Sequence, residues 1–260
     1  MEIEEKKDLG EPLGGGNMNT VRRDGATVVR NAGAWTPTVH RFLDFLHRAG
    51  LDWAPRPMGF DLDANEAPRH ERLSYIEGEV PAYPLPDWVW ADDVLCDGAR
   101  RLRQLHDASV GFSPDGAVWQ APTKVPAEVV CHNDFSPHNL VFRQRRVVGV
   151  IDFDFCSPGP RIWDIAYFAT RIVPLTASTS AGAPGMEQAR YRVSLLLESY
   201  GDIGLTFEDV VRLAIVRLHD LAEFSRAKAQ ELHKPELLDD AANYDRDGCF
   251  LRDMASSRNV

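Results

Sequence analysis

The polar residues with the clearest chemical potential lie beside two apolar segments in the middle of the chain. Residues 130–141 read VCHNDFSPHNLV, which places His132, Asp134 and Asn139 directly after the first apolar segment. Asp152 follows a second apolar segment, VGVI. Phosphoryl transfer from ATP needs a carboxylate to orient or deprotonate the acceptor hydroxyl, together with oxygen ligands for Mg²⁺ at the phosphates. Because loops that leave adjacent strands can converge on one point, the pattern predicts a site for phosphoryl transfer.

The order of these residues resembles that of the aminoglycoside phosphotransferase and choline kinase-like family. The catalytic and metal loops of kinases read H-x-D-x-x-x-x-N, then a strand and D, and residues 132–152 match this order. Residues 151–167, IDFDFCSPGPRIWDIAY, are similar to the metal loop of the family and to the D-[LI]-A helix after it. The resemblance covers most of the chain and fades after about residue 200. It implies an α+β, bilobal protein-kinase-like fold, with a small β-rich N-terminal lobe and a larger, mostly helical C-terminal lobe.

The resemblance also implies a role for each residue of the pattern. By that resemblance Asp134 is the catalytic aspartate, and Asn139 and Asp152 are the ligands of Mg²⁺. Asp164 would brace the catalytic loop, and His132 would orient the same loop without reacting. ATP and Mg²⁺ are accordingly the cofactors that we expect.

Asp154, two residues after Asp152, has two interpretations. It could assist in binding the metal, or it could be a carboxylate that lies near the metal ligands or in solvent without touching the ion. The sequence leaves both interpretations open.

Four residues near the N-terminus form the expected loop over the ATP phosphates. They are Gly14, Gly15, Gly16 and Asn17. Because glycine has no side chain, backbone N–H groups in such a loop can approach phosphate oxygens closely. The hinge is expected near residues 74–77, where backbone groups of Tyr75 and Ile76 would meet the adenine.

The strand that presents a lysine to the α- and β-phosphates in kinases carries an arginine in this chain. Residues 27–30 read TVVR, so Arg30 is the candidate phosphate ligand. Arginine keeps the charge and can bind phosphate through two N–H groups, but its reach and geometry differ from those of lysine. The helix predicted over residues 36–49 contains no glutamate to pair with it, and His40 and Asp44 occupy its interior.

Two other functions are compatible with these residues. A nucleotide-binding pseudokinase is favoured by Arg30 and by the missing glutamate, although the residues that the chemistry needs are all present. A metal-dependent hydrolase is the second alternative, since mixed histidine and carboxylate sets suit zinc or manganese. Its ligands would be His132, Asp134, His138 and Asp152. The order and spacing favour the small-molecule kinase over both, and the absence of an Ala-Pro-Glu segment after the metal loop disfavours a protein kinase.

The elements that would position these residues change character along the chain. Up to about residue 79 the sequence reads as short strands around one helix. Asp24-Gly25 supplies the positive φ of a hairpin turn, and the apolar positions of residues 36–50 follow the period of a helix. After a proline-rich stretch the pattern is mainly helical, apart from two short apolar strands at about 128–140 and 147–155.

These elements divide the chain into two predicted lobes. We expect residues 1–80 to form a nucleotide-binding lobe and residues 81–260 a catalytic and acceptor-binding lobe, with ligands in the cleft between them. The C-terminal third is rich in Asp and Glu, and Asp220 and Glu223 are candidates to face the cleft. The expected partner is a small hydroxylated acceptor, and these carboxylates favour a cationic one.

The composition restricts the partners and the compartment. With 29 Lys and Arg against 39 Asp and Glu, the net charge of −10 argues against nonspecific binding of nucleic acid. An acidic balance of this kind either serves solubility alone or concentrates a cationic substrate. No apolar run approaches the ~20 residues that cross a bilayer, so no membrane partner is expected. Four cysteines without a CxxC pair indicate reduced thiols, and the N-terminus lacks the pattern of a signal peptide. The sequence therefore predicts a cytoplasmic small-molecule kinase, with antibiotic resistance among its candidate roles.

Overall fold

The chain forms an antiparallel sheet followed by a mostly helical region. The computed structural model describes residues 11–13, 21–173, 175–177 and 182–256. The strands are β1 (Glu11–Pro12), β2 (Val21–Asp24), β3 (Thr27–Asn31), β4 (Pro57–Leu62), β5 (Pro68–Ser74), β6 (Val129–Cys131), β7 (Leu140–Arg143), β8 (Arg146–Val150) and β9 (Ser157–Gly159). The helices are α1 (Thr36–Arg48), α2 (Asp92–Ser109), α3 (Arg161–Ile172), α4 (Ala189–Tyr200), α5 (Phe207–Glu231) and α6 (Leu237–Ser256).

The N-terminal sheet has the strand order β1-β2-β3-β5-β4, and each neighbouring pair is antiparallel. The turn predicted at Asp24-Gly25 joins β2 to β3, and Gly25 has a φ of 60°, which glycine adopts without strain. Strands β4 and β5 were not predicted individually from the sequence, and β5, which reads PRHERLS, is mostly polar. Their position matters for the site, since β5 pairs directly with β3.

Helix α1 packs its apolar face into the core, as its sequence period predicts. Val39, Phe42, Leu43 and Leu46 are fully buried. The helix begins at Thr36, where the predicted helix begins, and Trp35 occupies the N-cap position. The Thr36 hydroxyl accepts a hydrogen bond from the Gly33 amide at 2.9 Å, so it closes the turn that leads into the helix.

The C-terminal region is built around α3, which is buried on nearly all sides. Nine of its twelve residues are buried, including Trp163, Asp164 and Tyr167. The long helix α5 begins at a reciprocal capping box between Thr206 and Asp209, which satisfies two backbone amides at its N-terminus. Helices α5 and α6 pack against each other, and α5 also packs on α3, so the helices enclose one face of the catalytic loop.

Two short antiparallel pairs carry the loops between the sheet and the helices. Strand β6 pairs with β9, and β7 pairs with β8. Residues 132–139 connect β6 to β7, and residues 151–156 connect β8 to β9, so both polar loops leave this small framework. Glu79 exchanges backbone hydrogen bonds of 2.8 and 2.7 Å with Phe142, which attaches the segment after the sheet to β7.

A small antiparallel sheet followed by a helical region is the α+β architecture that the sequence predicts. The boundary near residue 80 stays a prediction. Within the described ranges, none of the helices combines the length and the apolar character that a membrane crossing requires.

Candidate active site

The catalytic loop is held by a buried carboxylate at the start of α3. Asp164 accepts hydrogen bonds from the backbone amides of His132 at 2.6 Å and Asn133 at 2.8 Å, and its side chain is fully buried. His106 of α2 approaches the same carboxylate at 3.0 Å. Burial by itself would raise the pKa of Asp164, but His106 and the donors of the loop lower it below its ordinary value. The carboxylate is therefore ionised, and it fixes the loop that leaves β6.

His132 joins this loop to the second polar loop. Its Nδ1 accepts the backbone N–H of Asp134 at 3.3 Å, and its Nε2 lies 3.0 Å from the carbonyl oxygen of Ile151. Since a carbonyl can only accept, Nε2 is the donor in this contact. The ring is buried, 4.8 Å from Phe153, and both nitrogens are engaged. The residue is thus placed to orient the loops, and not to bind a metal ion.

Asp134 is held as an oriented, ionised carboxylate. The Tyr167 hydroxyl donates to its Oδ1 at 2.6 Å, and Asn139 Nδ2 donates to its Oδ2 at 2.8 Å. His138 Nε2 lies 3.8 Å from Oδ2. Burial would raise the pKa of Asp134, but the hydrogen bonds and charge of these neighbours, His138 foremost, lower it to about 2. The side chain keeps partial access to solvent, so an acceptor molecule can reach it.

Asn139 and Asp152 are brought together by the backbone. The Ile151 amide donates to the Asn139 carbonyl at 2.9 Å, and Asp152 is the next residue along the chain. Asn139 Nδ2 donates to the Asp134 side chain and also to its backbone carbonyl, which leaves the amide oxygen for another partner. Asp152 has a φ of 64° and a carboxylate that is partly exposed. An amide oxygen and an accessible carboxylate are the kinds of ligand that suit a hard cation such as Mg²⁺.

Arg30 lies at the centre of a buried charge cluster, which we call the arginine clasp: Arg30, Glu71, Asp152 and Asp154. Its Nε donates to Glu71 at 2.6 Å, its Nη1 to Asp152 at 2.8 Å and its Nη2 to Asp154 at 2.6 Å. The glutamate partner that the helix lacks is supplied by β5, because Glu71 lies directly opposite Arg30 in the strand register. His40 of α1 contacts the other oxygen of Glu71 at 2.7 Å. Asp154 is buried, which excludes the solvent-exposed interpretation of that residue.

The clasp contains three carboxylates and a single guanidinium. Burial would lower the pKa of Arg30, but the three carboxylates raise it well above its ordinary value. Burial would raise the pKa of Glu71, whereas His40 and Arg30 lower it. For Asp154, burial and the other two carboxylates together raise the pKa to about 7, against the lowering effect of Arg30. The excess of negative charge at Asp152 and Asp154 is a second feature that fits a divalent cation.

The residues predicted to bind the nucleotide are only partly described. Gly14, Gly15, Gly16 and Asn17 lie outside the described residues. At the hinge, the Tyr75 amide already donates to the Ala26 carbonyl at 2.8 Å. Within the described ranges, the Tyr75 carbonyl and the Ile76 amide have no hydrogen-bond partner, and these are the groups left for an adenine.

The acidic residues proposed for the cleft are paired with cations. Asp220 lies 3.1 Å from Lys124 Nζ, and Glu223 lies 2.6 Å from Arg226. The sequence analysis gave Tyr167 no role in the site, yet this buried side chain donates its hydroxyl hydrogen to Asp134. Its spacing of three residues from Asp164, on the same face of a helix, was the available signal.

A second cluster of potential ligands, His106, Cys131 and Asp164, lies behind the loop. The Asp164 oxygens accept two backbone amides, and His106 uses Nδ1 for the Tyr200 hydroxyl at 2.7 Å and Nε2 for Asp164. Burial raises the pKa of the Cys131 thiol well above its ordinary value, so a thiolate is not available. This cluster is a hydrogen-bonded brace and not a metal site.

One relative and two of the similar solved structures illustrate what this chain resembles. The trifolitoxin immunity protein of Rhizobium leguminosarum bv. trifolii is 29% identical over 229 residues, which cover 84% of each chain. The ethanolamine kinase of Plasmodium vivax superposes with a TM-score of 0.65 at 12% identity, over 92% of this chain and 81% of that one. The ternary complex of APH(2″)-IIa with streptomycin and ATP superposes with a TM-score of 0.51 at 18% identity, over 90% and 92% of the two chains. At these identities the structural similarity shows the fold, which is protein-kinase-like.

A family model decides the classification. The model of the phosphotransferase enzyme family matches residues 11–194, which is more than half of the chain and includes both polar loops. The matched segment carries the catalytic-loop order from His132 to Asn139 and the carboxylate at Asp152. The chain belongs to the phosphotransferase enzyme family.

Proposed function

We propose that the protein transfers the γ-phosphoryl group of ATP to a hydroxyl of a small molecule. The observation that carries this proposal is the state of Asp134: an ionised, partly accessible carboxylate, oriented by Tyr167 and Asn139. It lies in the same loop as Asn139, whose backbone is joined to the loop of Asp152. A phosphotransferase needs these groups to converge, and they come from two separate loops.

Asp134 would orient the acceptor hydroxyl in line with the phosphorus atom. A carboxylate with a pKa of about 2 is too weak a base to deprotonate a free alcohol. In a loose transition state the alcohol proton becomes acidic only as the new P–O bond forms, so Asp134 would accept the proton late. Positioning would therefore supply most of its contribution.

Asn139 and Asp152 would hold Mg²⁺, which neutralises charge on the phosphates when it is bound. The amide oxygen of Asn139 and the accessible carboxylate of Asp152 are hard oxygen donors, and the excess negative charge of the arginine clasp favours a cation beside them. Arg30 would hold Asp152 in place. Three of its five N–H groups are used by the clasp, so two remain for the phosphates.

The backbone around Gly14, Gly15, Gly16 and Asn17 would cover the phosphates, and the Tyr75 carbonyl and Ile76 amide would meet the adenine. ATP as the donor is supported by the solved complex of APH(2″)-IIa, whose name includes ATP. An enzyme that uses ATP in this way would act in the cytoplasm, where that nucleotide is made.

The acceptor would be a small hydroxylated compound. The names of the similar proteins favour a role in resistance to a toxic compound. One is named for immunity to trifolitoxin, and one solved neighbour holds streptomycin. Phosphorylation of a toxic compound would add charge to it and block its contacts with its target.

Each alternative loses one of its supporting observations. The pseudokinase alternative rested on Arg30 and on the missing glutamate, and Glu71 pairs with Arg30 at 2.6 Å. The hydrolase reading needed His132 as a ligand, and both ring nitrogens of His132 already have partners.

The proposed function is tested by mass spectrometry of acceptors incubated with Mg·ATP. The panel contains aminoglycosides, choline-like alcohols, amino sugars and sugar acids, and the variant Asp134→Ala runs beside the wild-type protein. We expect a phosphorylated product whose rate falls by roughly 10²–10⁴-fold in the variant, with ATP affinity nearly unchanged. Asp44→Ala, an exposed carboxylate on α1, is the control and should keep full activity. Normal turnover by Asp134→Ala would contradict the assignment.

A further inference from the structure

Three cations alternate with three aromatic rings on the helical side of Asp134. We call this arrangement the cation–π ladder: Lys124, Trp163, Arg217, Tyr167, Arg171 and Tyr244. Lys124 Nζ lies 4.1 Å from the centre of the Trp163 ring. The Arg217 guanidinium lies 5.0 Å from Trp163 and 4.9 Å from Tyr167. The Arg171 guanidinium follows, 4.9 Å from Tyr167 and 5.3 Å from Tyr244. Every ring of the ladder therefore has a cation against it already.

The two guanidiniums of the ladder lack carboxylate partners. Lys124 pairs with Asp220, but within the described ranges no carboxylate oxygen lies within 4 Å of Arg171 or Arg217. Arg217 is 8% exposed, and its Nη2 donates to the carbonyl of Asn133 in the catalytic loop. Arg171 donates from Nη2 to the Tyr244 hydroxyl at 3.0 Å, and its Nε is buried without a partner. A partly buried guanidinium without a carboxylate in contact is costly, so an anion that bound it would relieve that cost.

Two carboxylates of α6 face Arg171 without touching it. Burial raises the pKa of Asp240 and of Asp247, and the charge of Arg171 opposes both rises. Asp247 uses an oxygen to accept the Ala177 amide at 2.8 Å. Asp240 and Asp247 moderate the positive potential of Arg171, but they leave its guanidinium without an ion pair.

The Arg171 end of the ladder adjoins the position of the acceptor hydroxyl. Tyr167 contacts Arg171 with its ring face and Asp134 with its hydroxyl. Tyr83, which is half exposed, lies 5.7 Å from the ring of His138, and burial raises its pKa while Arg171 lowers it. Tyr167 thus links Arg171 to Asp134, and Tyr83 lies near both Arg171 and His138.

We propose that Arg171 binds a carboxylate of the acceptor whose hydroxyl lies against Asp134, so that the substrate is a hydroxylated acid. A guanidinium matches a carboxylate through two N–H groups and excludes amines by repulsion. The rings that could attract a cationic acceptor are already occupied by cations. This inference rests on the proposed function and replaces the cationic acceptor that the carboxylates of the C-terminal third favour.

Two matched series of probes test the charge preference. Gluconate, glucose and glucosamine share a six-carbon skeleton, and glycerate, glycerol and serinol share a three-carbon skeleton; each series runs from anionic to neutral to cationic. Binding is measured by calorimetry with wild-type protein, alone and with Mg·ADP. We expect saturable binding of at least one acid, at least 10-fold tighter than binding of its neutral and cationic counterparts.

Variants then assign that preference to one side chain. Arg171→Gln should weaken binding of the acid at least 10-fold and leave binding of the neutral compound unchanged. Arg171→Lys keeps the charge but loses the planar pair of N–H donors. Its affinity for the acid should lie between the affinities of wild type and of Arg171→Gln. Arg190→Gln, an exposed arginine of α4, is the matched control and should bind like wild type. Circular dichroism checks that each variant is folded, and Arg171→Lys carries the test if the glutamine variant is not.

Either of two results overturns the inference: cationic probes that bind as tightly as the acids, or acid binding that survives the loss of Arg171. Failure of both acids to bind at millimolar concentration overturns it as well. Calorimetry needs no phosphoryl transfer, so the two proposals fail separately. If an acid binds through Arg171 but no phosphorylated product forms, only the proposed kinase activity is refuted. If amines are phosphorylated at a rate that Arg171→Gln does not change, only the proposed acidic acceptor is refuted.

Discussion

Arg30 shows how one substitution changes the design of a nucleotide site at the scale of a residue. A lysine ammonium is a compact point charge, whereas a guanidinium presents its donors in a planar fork. In this chain the fork reaches three carboxylates at 2.6 to 2.8 Å, one from β5 and two from the loop after β8. The residue therefore holds the metal loop against the sheet. A lysine at the same position could pair with only some of these three carboxylates.

The first prediction concerns the loss of this fork. Arg30→Met should lower the free energy of unfolding by about 3–5 kcal/mol, because it removes the guanidinium that pairs with three carboxylates of the cluster. Arg30→Lys should cost less, since one ammonium can still neutralise part of the cluster. Urea unfolding at pH 7 measures both. The control is Arg72→Met on the same sheet, whose ion pair with Asp61 is exposed and should contribute at most about 1 kcal/mol. Equal losses for Arg30→Met and Arg72→Met would contradict the clasp.

At the scale of elements, the start of α3 organises the catalytic loop. Asp164 holds two consecutive backbone amides of the loop, and Tyr167, one turn later, reaches Asp134 with its hydroxyl. Helix α2 supports α3 from behind through His106 and through a close approach at Gly98. The loop geometry therefore depends on the packing of α2 against α3.

A prediction about pH follows from Asp164. Its pKa in the folded protein lies below the ordinary value, so its contribution to stability is complete above about pH 4 and is lost as the pH falls through the folded pKa. Asp164→Asn should lower the free energy of unfolding by a constant amount between pH 5 and 7. Below about pH 4 the difference from wild type should shrink. Urea unfolding across this range measures it, with Asp44→Asn as the exposed control. If the difference in free energy of unfolding between wild type and Asp164→Asn grew as the pH fell, the predicted direction of the pH dependence would be wrong.

A pair of helical glycines tests the packing of α2 against α3. A Cβ at Gly98 would lie 2.5 Å from Cζ of Phe168, whereas a Cβ at Gly248 of α6 would have 3.9 Å to its nearest neighbours. Gly98→Ala should therefore lower the free energy of unfolding by about 1–3 kcal/mol through overpacking. Gly248→Ala should raise it by up to about 1 kcal/mol through helix propensity. Thermal and urea unfolding of both variants measure these changes. A stabilising effect of Gly98→Ala would show that Gly98 and Phe168 are not in close contact.

At the scale of the whole molecule, side-chain and backbone contacts join the sheet to the helical region near the site. The arginine clasp joins β3 to the loop after β8, and Glu79 bonds Phe142 of β7. A nucleotide bound between the two parts would add contacts to both and would stabilise the folded chain by mass action. The gain in the free energy of unfolding with Mg·ADP would thus report on binding to both parts of the protein.

The last prediction uses this linkage. At 100 times its Kd, Mg·ADP should raise the free energy of unfolding by about 2.7 kcal/mol. Asp152→Asn should abolish the part of this gain that requires Mg²⁺, because it removes the charged candidate ligand. The measurement is thermal unfolding with ADP, in Mg²⁺ and in EDTA. Asp239→Asn, exposed at the start of α6, serves as the control. A Mg²⁺-dependent gain of wild-type size in Asp152→Asn would remove that residue from the metal site.

The sequence by itself determined the features that depend on neighbours in the chain. The order from His132 to Asn139 and then Asp152 identified the chemistry, because a catalytic loop needs these residues at a fixed separation. Asp24-Gly25 marked the hairpin, since a tight turn demands a positive φ from few residue types. The period of apolar residues in α1 identified its buried face, because a helix repeats every 3.6 residues.

Only the tertiary structure decided the partners that lie far apart in the chain. Glu71 meets Arg30 from 41 positions away because β5 pairs with β3 in one register, and the polar sequence of β5 does not announce that strand. The cation–π ladder draws its members from α3, α5, α6 and the segment before β6, so no spacing in the sequence could reveal it. Strand register and helix packing are set by burial over the whole chain, and they determined which charges meet at this site.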